Sequence, residues 1–402
     1  MHAQDSAESY SMKDVYLKGR FQGGPYHSLY RELVKHPPKG YRVLAEKPDL
    51  TKKHQLAYSF DKKLLDLPFV KDVWYEAKTL LYMGVQRGNR FGCESELVFA
   101  SQQLMFAQLP WIVDFEFANA LVGYGDIRLC KKLVQSTLAS KYCKKILPWS
   151  YWAKRTMRRS LNIDSFKEKI EVVHLAVGLK DLVKKRDDDR LTLLFVGSTN
   201  PFNVYNFELK GGIEVVDAFL ELSKKYDRLK LAIRSWVPPE IREKCSNQPN
   251  ITILNSPLSD KALADLYASS DVFVFPSHAN LGMAILEAMS FQLPVIALGV
   301  YDVPEAVKDM KTGVLLTPPP KVPYYTWNGG PNHYDRSFWL ALRHSRSWLV
   351  RQIVEKAALL IEDESLRRRI EREARQQVEH GDFSIEKRNE KLKMIFDEAT
   401  KI

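Results

Sequence analysis

The sequence predicts an α/β protein made of two doubly wound, Rossmann-like parallel-sheet domains facing a cleft. Its 402 residues exceed what one domain usually holds, at roughly 150 residues per domain. Short β-rich apolar runs alternate with stretches of helical period, and the alternation occurs twice along the chain. Parallel strands need crossovers that cover both sheet faces, so the runs read as buried strands and the stretches between them as helices. With 45% hydrophobic and 27% charged residues, 20 Pro and 19 Gly, the composition excludes collagen, coiled coil or disorder as the main class.

Residues 1–12 read as a polar tail, and VYL (15–17) as the first strand. GGPYHSLYRELVKHPPKGYRVL then gives a glycine turn, an amphipathic helix, a Pro and Gly breaker and a second strand. Residues 51–95 show no clear period. ELVFA (96–100), PWIVDFE (110–116) and KKILPWS (144–150) read as buried strands, and IEVVHLAVG (170–178) as the strand that closes a domain spanning 1–180. The charged stretch 179–190 is the expected linker.

The second domain, 181–380, is clearer. LTLLFVG (191–197), LKLAIRSW (229–236), ITILN (251–255), VFVFPS (272–277), PVIAL (294–298) and GVLLTP (313–318) are strands separated by helical segments. Residues 319–347 are rich in Pro, Gly and aromatics and read as a long loop or insertion. Helical patterns fill 348–380, and 381–402 forms a last helix with Ser384 as its N-cap.

The net charge is +11, and its excess lies entirely in the first half: 29 basic and 18 acidic residues in 1–180 against 31 of each afterwards. A phosphate-rich partner is therefore expected there, whether substrate, membrane or nucleic acid. Lys141, Lys144, Lys145, Lys154, Arg155, Arg158 and Arg159 surround Trp149, Tyr151 and Trp152, a combination that suits an anionic lipid surface or a solvated helix with core aromatics. The four cysteines form no CxxC pair, so a reducing cytoplasm is expected and no disulfide or zinc framework. The N-terminus has no apolar signal core and no run of 18 apolar residues occurs, which predicts neither secretion by that route nor a membrane span.

In an open α/β sheet, ligands bind at strand C-termini, where helix N-termini offer unpaired N–H groups to phosphates. Three segments fit that position. Gly23 and Gly24, before Pro25, would let backbone approach a ligand, although a tight turn needs the same residues. Lys210, before Gly211 and Gly212, could meet a diphosphate at a helix start, or be solvated. Gly282, flanked by Leu281 and Met283, opens a helix in which Glu287 lies among Ile285, Leu286, Ala288 and Met289. A carboxylate there needs a partner, and a pair of sugar hydroxyls or a basic side chain would serve.

LLFVGS, ELKGGIEVVDAF, ALADLYASSDVFVFPS, LEAMSFQLPVIA, VPEAV and TGVLLTP occur in the order and spacing of the retaining glycosyltransferases of family 4, which the chain resembles over about 190–318. The first half is similar only in outline, through the GG pair and SKYCKKILPWSYWAKR. The resemblance implies the GT-B fold, with the last helix crossing back to the N-terminal domain, and transfer of a sugar from a nucleotide diphosphate to an acceptor hydroxyl with retained configuration. It implies that Glu287 holds the ribose hydroxyls, that Lys210 neutralises the diphosphate, that Gly23 and Gly24 face phosphate and sugar, and that Leu258 lies against the base. It also implies a glycan or lipid-linked acceptor, reached by a basic N-domain face at the inner side of a membrane.

Departures from the pattern accompany it. The first motif Glu is replaced by Ala279, which leaves His278 or Asn280 to contact the donor sugar. The Arg expected beside the diphosphate is Ser198, with Arg234 as a candidate substitute, and Asp114 and Glu116 stand where an N-domain His is expected, to orient an acceptor or stabilise charge on the sugar. No metal or other cofactor is expected, because the Asp187–Asp188–Asp189 run reads as linker. A degenerate nucleotide-binding protein and a nucleotide-sugar epimerase share the architecture. Nucleic-acid binding is not expected, since no motif of that class occurs, and a dehydrogenase is disfavoured because Gly123-Tyr124-Gly125 has Arg128 where the third glycine belongs.

Overall fold

The structure is a computed structural model, and it describes residues 12–18, 28–45, 71–88, 95–180, 190–200, 205–333 and 335–401. The chain divides into two compact units. Unit 1 comprises residues 1–149, 160–173 and 388–402, and unit 2 comprises 150–159 and 174–387.

Unit 1 holds a five-stranded parallel sheet of β1 (Lys13–Lys18), β2 (Tyr41–Ala45), β3 (Leu97–Ser101), β4 (Trp111–Phe115) and β5 (Cys143–Pro148), in the order β2-β1-β3-β4-β5. The direction of winding reverses between β1 and β3, so the crevice of this sheet opens at their C-terminal ends. There the buried Gln103 side chain donates to the carbonyl of Lys18 at 2.9 Å, tying the two strand ends together. Gly23 and Gly24 lie outside the described residues. The end of the last helix (Ile385–Ala399) packs within this unit, with Phe396 edge-on to Tyr41 and Phe99 and the Tyr41 hydroxyl donating to Asp397 at 2.7 Å.

The run 170–178 is buried as expected but is not a strand. Only Ile146 and Ile170 bridge, joined by the N–H groups of Glu171 and Val173 on Ile146 and Pro148. Pro148 has no N–H to return, so the ladder stops, and the chain passes from unit 1 to unit 2 after Val173. In the sequence stretch without a clear period, a helix covers Lys71–Gly88.

Unit 2 holds a six-stranded parallel sheet: β6 (Leu191–Val196), β7 (Leu229–Arg234), β8 (Ile251–Leu254), β9 (Val272–Phe275), β10 (Val295–Leu298) and β11 (Val314–Leu316). Their order is β11-β10-β9-β6-β7-β8. Winding reverses between β6 and β9. Helices Gly212–Leu222, Met283–Ser290 and Arg346–Glu362 pack on the sheet, and Glu364–Glu379 packs on the second and third of these. The expected loop 319–347 is irregular only to its midpoint: Asp335 caps a helix, Arg336–His344, through the N–H of Ser337, and Phe338 and Leu342 bury its apolar side.

That helix and the next bring arginines to two buried carboxylates of the β6 crossover. Arg343 pairs with Glu208 at 2.9 Å, and Arg346 reaches both Glu208 at 2.8 Å and the fully buried Glu214 at 3.1 Å. Burial pushes the Glu214 carboxyl up to about 7 against the opposing pull of Arg346. Removing one partner of such a cluster leaves charge buried without compensation. Arg346→Ala is therefore expected to lower stability by about 3 kcal/mol in denaturant unfolding above pH 7. A loss within a few tenths of that of a surface arginine would show the cluster to be screened.

Candidate functional site

The loops that leave β6 and β9 meet at the reversal point of unit 2. Gly211 has φ +77, and a Cβ on it would lie 2.6 Å from both Cγ and O of Pro276, so the residue after Lys210 must be glycine. The His278 N–H donates to Leu209 O at 2.9 Å and closes the same junction. Lys210 is half-buried, with its ammonium 5.7 Å from the centre of the Phe275 ring at the end of β9. Gly212 then starts the crossover helix; a side chain there would enter the ring of Phe207.

Glu287 stands in the second turn of Met283–Ser290 and is half-buried. The buried Tyr267, stacked on Phe291 at 5.2 Å, donates its hydroxyl to Glu287 at 3.3 Å. Burial lowers the pKa of Arg234, and the hydrogen-bonded pair of Tyr267 and Glu287 opposes that shift, so the guanidinium lies within electrostatic reach of the pair. Arg234 also donates to the carbonyl of Gly197 at 2.9 Å, next to Ser198, whose hydroxyl accepts from Asn200 N–H at 3.2 Å. The structure thus brings Arg234 to the end of β6, where Ser198 stands in place of an arginine. Gly282 caps the Glu287 helix without a side-chain bond, Leu281 and Met283 are buried beside it, and Leu258 is half-buried before the helix Asp260–Ala268.

At the missing carboxylate, Ala279 is buried and Asn280 half-buried. His278 is fully buried; its Nδ1 lies 3.0 Å from the hydroxyl of Tyr324, and its Nε2 has no hydrogen-bond partner among the described residues. Burial drives its pKa down to about 3, with Arg346, His333 and Lys210 adding to the effect, so the ring is neutral and can offer hydrogen bonds but no charge.

In unit 1, Asp114 is 4% exposed and its carboxylate accepts from Trp149 Nε1 at 2.8 Å, from the Tyr30 hydroxyl at 3.0 Å and from the Gln102 N–H at 3.2 Å. The sequence suggests an acceptor-orienting or charge-stabilising carboxylate here; in the structure this carboxylate is closed over by three donors. Glu116, half-buried, accepts a short hydrogen bond from Tyr124. Gly123 and Tyr124 both have positive φ and form a turn. In the basic stretch, Trp149 and Trp152 are buried and only Tyr151, 55% exposed, leaves its ring in solvent. Lys145 is paired with Glu171 and Glu398. No helix among the described residues is long and apolar enough to cross a membrane.

Sequence reasoning missed Tyr267, Tyr324 and Arg346, because each acts from a helix or loop far along the chain and none carries a local spacing signal. Burial pushes the Asp114 carboxyl from 3.8 up to about 7, while the bonds from Trp149, Tyr30 and Gln102 hold it down. The folded protein thus keeps a proton that the unfolded chain loses near pH 4, and the stability this contributes is complete below that pH and is lost as pH rises through about 7. The stability advantage of wild type over Asp114→Asn, measured by urea unfolding across this range, is expected to fall with rising pH and level off above about 7. A flat difference would mean that this carboxyl titrates normally.

Residues 190–323 match the family model described as glycosyl transferases group 1. The O-antigen chain mannosyltransferase RfbU of Salmonella typhimurium is 27% identical over 186 residues, which are 45% of this chain and 49% of that protein. The chain thus aligns with about half the length of that curated relative. Among solved structures, a glycosyltransferase from Rickettsia africae superposes with a TM-score of 0.59 at 15% identity, covering 97% of this chain and 99% of that one. The Anabaena protein HepE, solved with UDP and glucose, has a TM-score of 0.55 at 13% identity over 96% and 99% of the two chains. Residues 190–323 thus match a group 1 glycosyltransferase domain, and the two parallel-sheet units have the GT-B fold.

Proposed function

We propose that the protein transfers a sugar from a nucleoside diphosphate sugar to an acceptor hydroxyl, with retention of anomeric configuration. The observation that carries this reading is the meeting of Lys210, the Gly211 turn, the Glu287 helix and Arg234 at the reversal point of one parallel sheet. In the reaction the bond from the anomeric carbon to the diphosphate oxygen breaks and one to the acceptor oxygen forms. Negative charge grows on the leaving diphosphate, so cations and N–H groups fixed in advance stabilise the transition state. Lys210 and the start of the Glu287 helix take that role, with Arg234 supplying the charge that Ser198 lacks. Glu287, held by Tyr267, accepts from the ribose hydroxyls, Leu258 lines the base, and His278 and Asn280 bond the sugar.

Glu116 is half-buried where its neighbour Asp114 is closed over, and it is assigned to the acceptor. The acceptor is taken to be a glycan or lipid-linked glycan met at the cytoplasmic face of a membrane. Exposed Arg155, Arg158, Arg159 and Tyr151 support this reading, and the buried tryptophans do not. No metal is assigned a role, since a fixed ammonium and N–H groups already offset the diphosphate charge. Nucleotide binding without catalysis, in a degenerate protein of the same architecture, is favoured by Ala279 and Ser198 and is separated by the same experiment.

UDP, GDP and ADP and their sugar conjugates, tested by thermal shift, should include one base family that raises the midpoint by several degrees, since about 2.7 kcal/mol is gained at 100 times the dissociation constant. The shift is expected to vanish in Glu287→Ala and to persist with a chelator. No shift with any nucleotide would sink the donor-site reading; a shift without product, when the acceptor is supplied, would leave the binding protein. Transfer that requires added Mg²⁺ or Mn²⁺ would refute the metal-free assignment.

A further inference from the structure

A second cavity in unit 2 is lined by none of the residues assigned to the donor. The helix Tyr151–Ser160 presents Trp152, Arg155, Thr156 and Arg159 along one face, at the i, i+3, i+4, i+7 spacing that brings side chains together. With Tyr301 and Tyr325 they line an open cavity of about 370 Å³. Its aromatic wall is rigid. Trp152 donates its indole N–H to Gly329 O at 2.9 Å and packs on Tyr301 at 5.1 Å, and the Tyr301 hydroxyl is bound to Tyr324 O at 2.8 Å. Tyr301 itself holds φ 55, a left-handed conformation that costs a bulky residue energy and that marks functional sites more often than ordinary turns.

The charge in this cavity belongs to side chains. Both N–H groups at the start of the helix, those of Tyr151 and Trp152, already donate to the Glu305 carboxylate at 2.8 and 2.7 Å. Arg155 and Arg159, one helical turn apart, are exposed, and no carboxylate among the described residues pairs with either. Arg159 lies against Gly329, where a Cβ would come within 2.6 Å of its guanidinium. Two unpaired guanidinium groups match a dianion with several oxygens better than a single carboxylate. The rings meet at 48° and 75°, forming a corner that suits the C–H face of a sugar or polyol and not the parallel slot that a flat base would fill.

We propose that this cavity binds a phosphate monoester carried on a sugar or polyol. The monoester has a charge of about −1.5 to −2 at neutral pH, which the two arginines offset, while the ring rests on Tyr325 and Tyr301. The phosphate can come from a soluble sugar phosphate or from a lipid headgroup, and the chemistry recognised is the same.

Calorimetric titration with glucose 6-phosphate, inorganic phosphate and glucose tests the site. Glucose 6-phosphate is expected to bind wild type and Glu287→Ala alike, and to bind the double variant Arg155→Ala/Arg159→Ala at least about tenfold more weakly. Glucose alone should bind far more weakly than its phosphate, and Tyr325→Ala should weaken the sugar phosphate more than inorganic phosphate. All three arginine and tyrosine positions are exposed, so these variants are expected to keep the wild-type melting midpoint. Equal affinity in the double variant overturns the proposal, and so does loss of binding in Glu287→Ala, which would place the phosphate in the donor site. Co-sedimentation with phosphatidylcholine vesicles containing phosphatidylinositol phosphate, dependent on the arginines, would assign the phosphate to a lipid; soluble binding without it would assign a free ligand. If the protein binds neither the soluble sugar phosphate nor the vesicles, the site is refuted, whatever the nucleotide results.

Discussion

The arginine of the helix Arg346–Glu362 that enters between Glu208 and Glu214 is the contact on which the geometry of the Lys210 turn depends. Lys210, Gly211 and Gly212 lie between those two carboxylates in sequence, so fixing both carboxylates fixes the turn. A lysine on a short loop has many rotamers and much entropy to lose. Anchored on either side by buried charge, and pressed against Pro276 where no Cβ fits, the loop has few alternatives. The same anchoring carries a cost, because Glu214 is wholly buried and one of its oxygens finds no partner among the described residues.

A chain of aromatic contacts starts where this loop meets β9. His278 stacks on Tyr324 at 6.0 Å, Tyr324 meets Tyr301 edge-on at 6.3 Å, and Tyr301 carries Trp152. The Pro- and aromatic-rich segment that interrupts the strand–helix alternation thus supplies the wall beside the position where Ala279 leaves a carboxylate out. Next to that position the buried His278 is neutral, a ring that shares hydrogen bonds but carries no charge. Arg234, by contrast, brings charge: a guanidinium from β7 reaches the end of β6, beside a serine.

Carboxylates in the two units illustrate how burial divides similar residues between roles. Asp114 and Glu116 are two positions apart on and just after one strand, so their side chains start on the same face. Asp114 is closed over by Tyr30, Trp149 and the Gln102 N–H, and Glu116 is left partly open against Tyr124. Glu305 uses its charge on the start of a helix, which frees the arginines along that helix for something else.

Sequence alone determined the alternation of strand and helix in residues 191–318, because buried parallel strands must be short apolar runs and their crossovers amphipathic. It also marked Lys210, Glu287 and the Gly282 helix start, since glycine at a strand-to-helix turn and an acid in an apolar helix are local signals. It could not place 170–178, whose apolar residues are buried without a ladder, nor divide the basic stretch into exposed arginines and buried tryptophans, since both follow from which neighbours fold over them. Arg346 with Glu208 and Glu214, Tyr267 with Glu287, and Tyr324 with His278 were decided by tertiary structure. In each pair the partners come from different elements and are 20 or more residues apart in the chain, and a hydrogen bond or ion pair between them depends on packing geometry that no local spacing encodes.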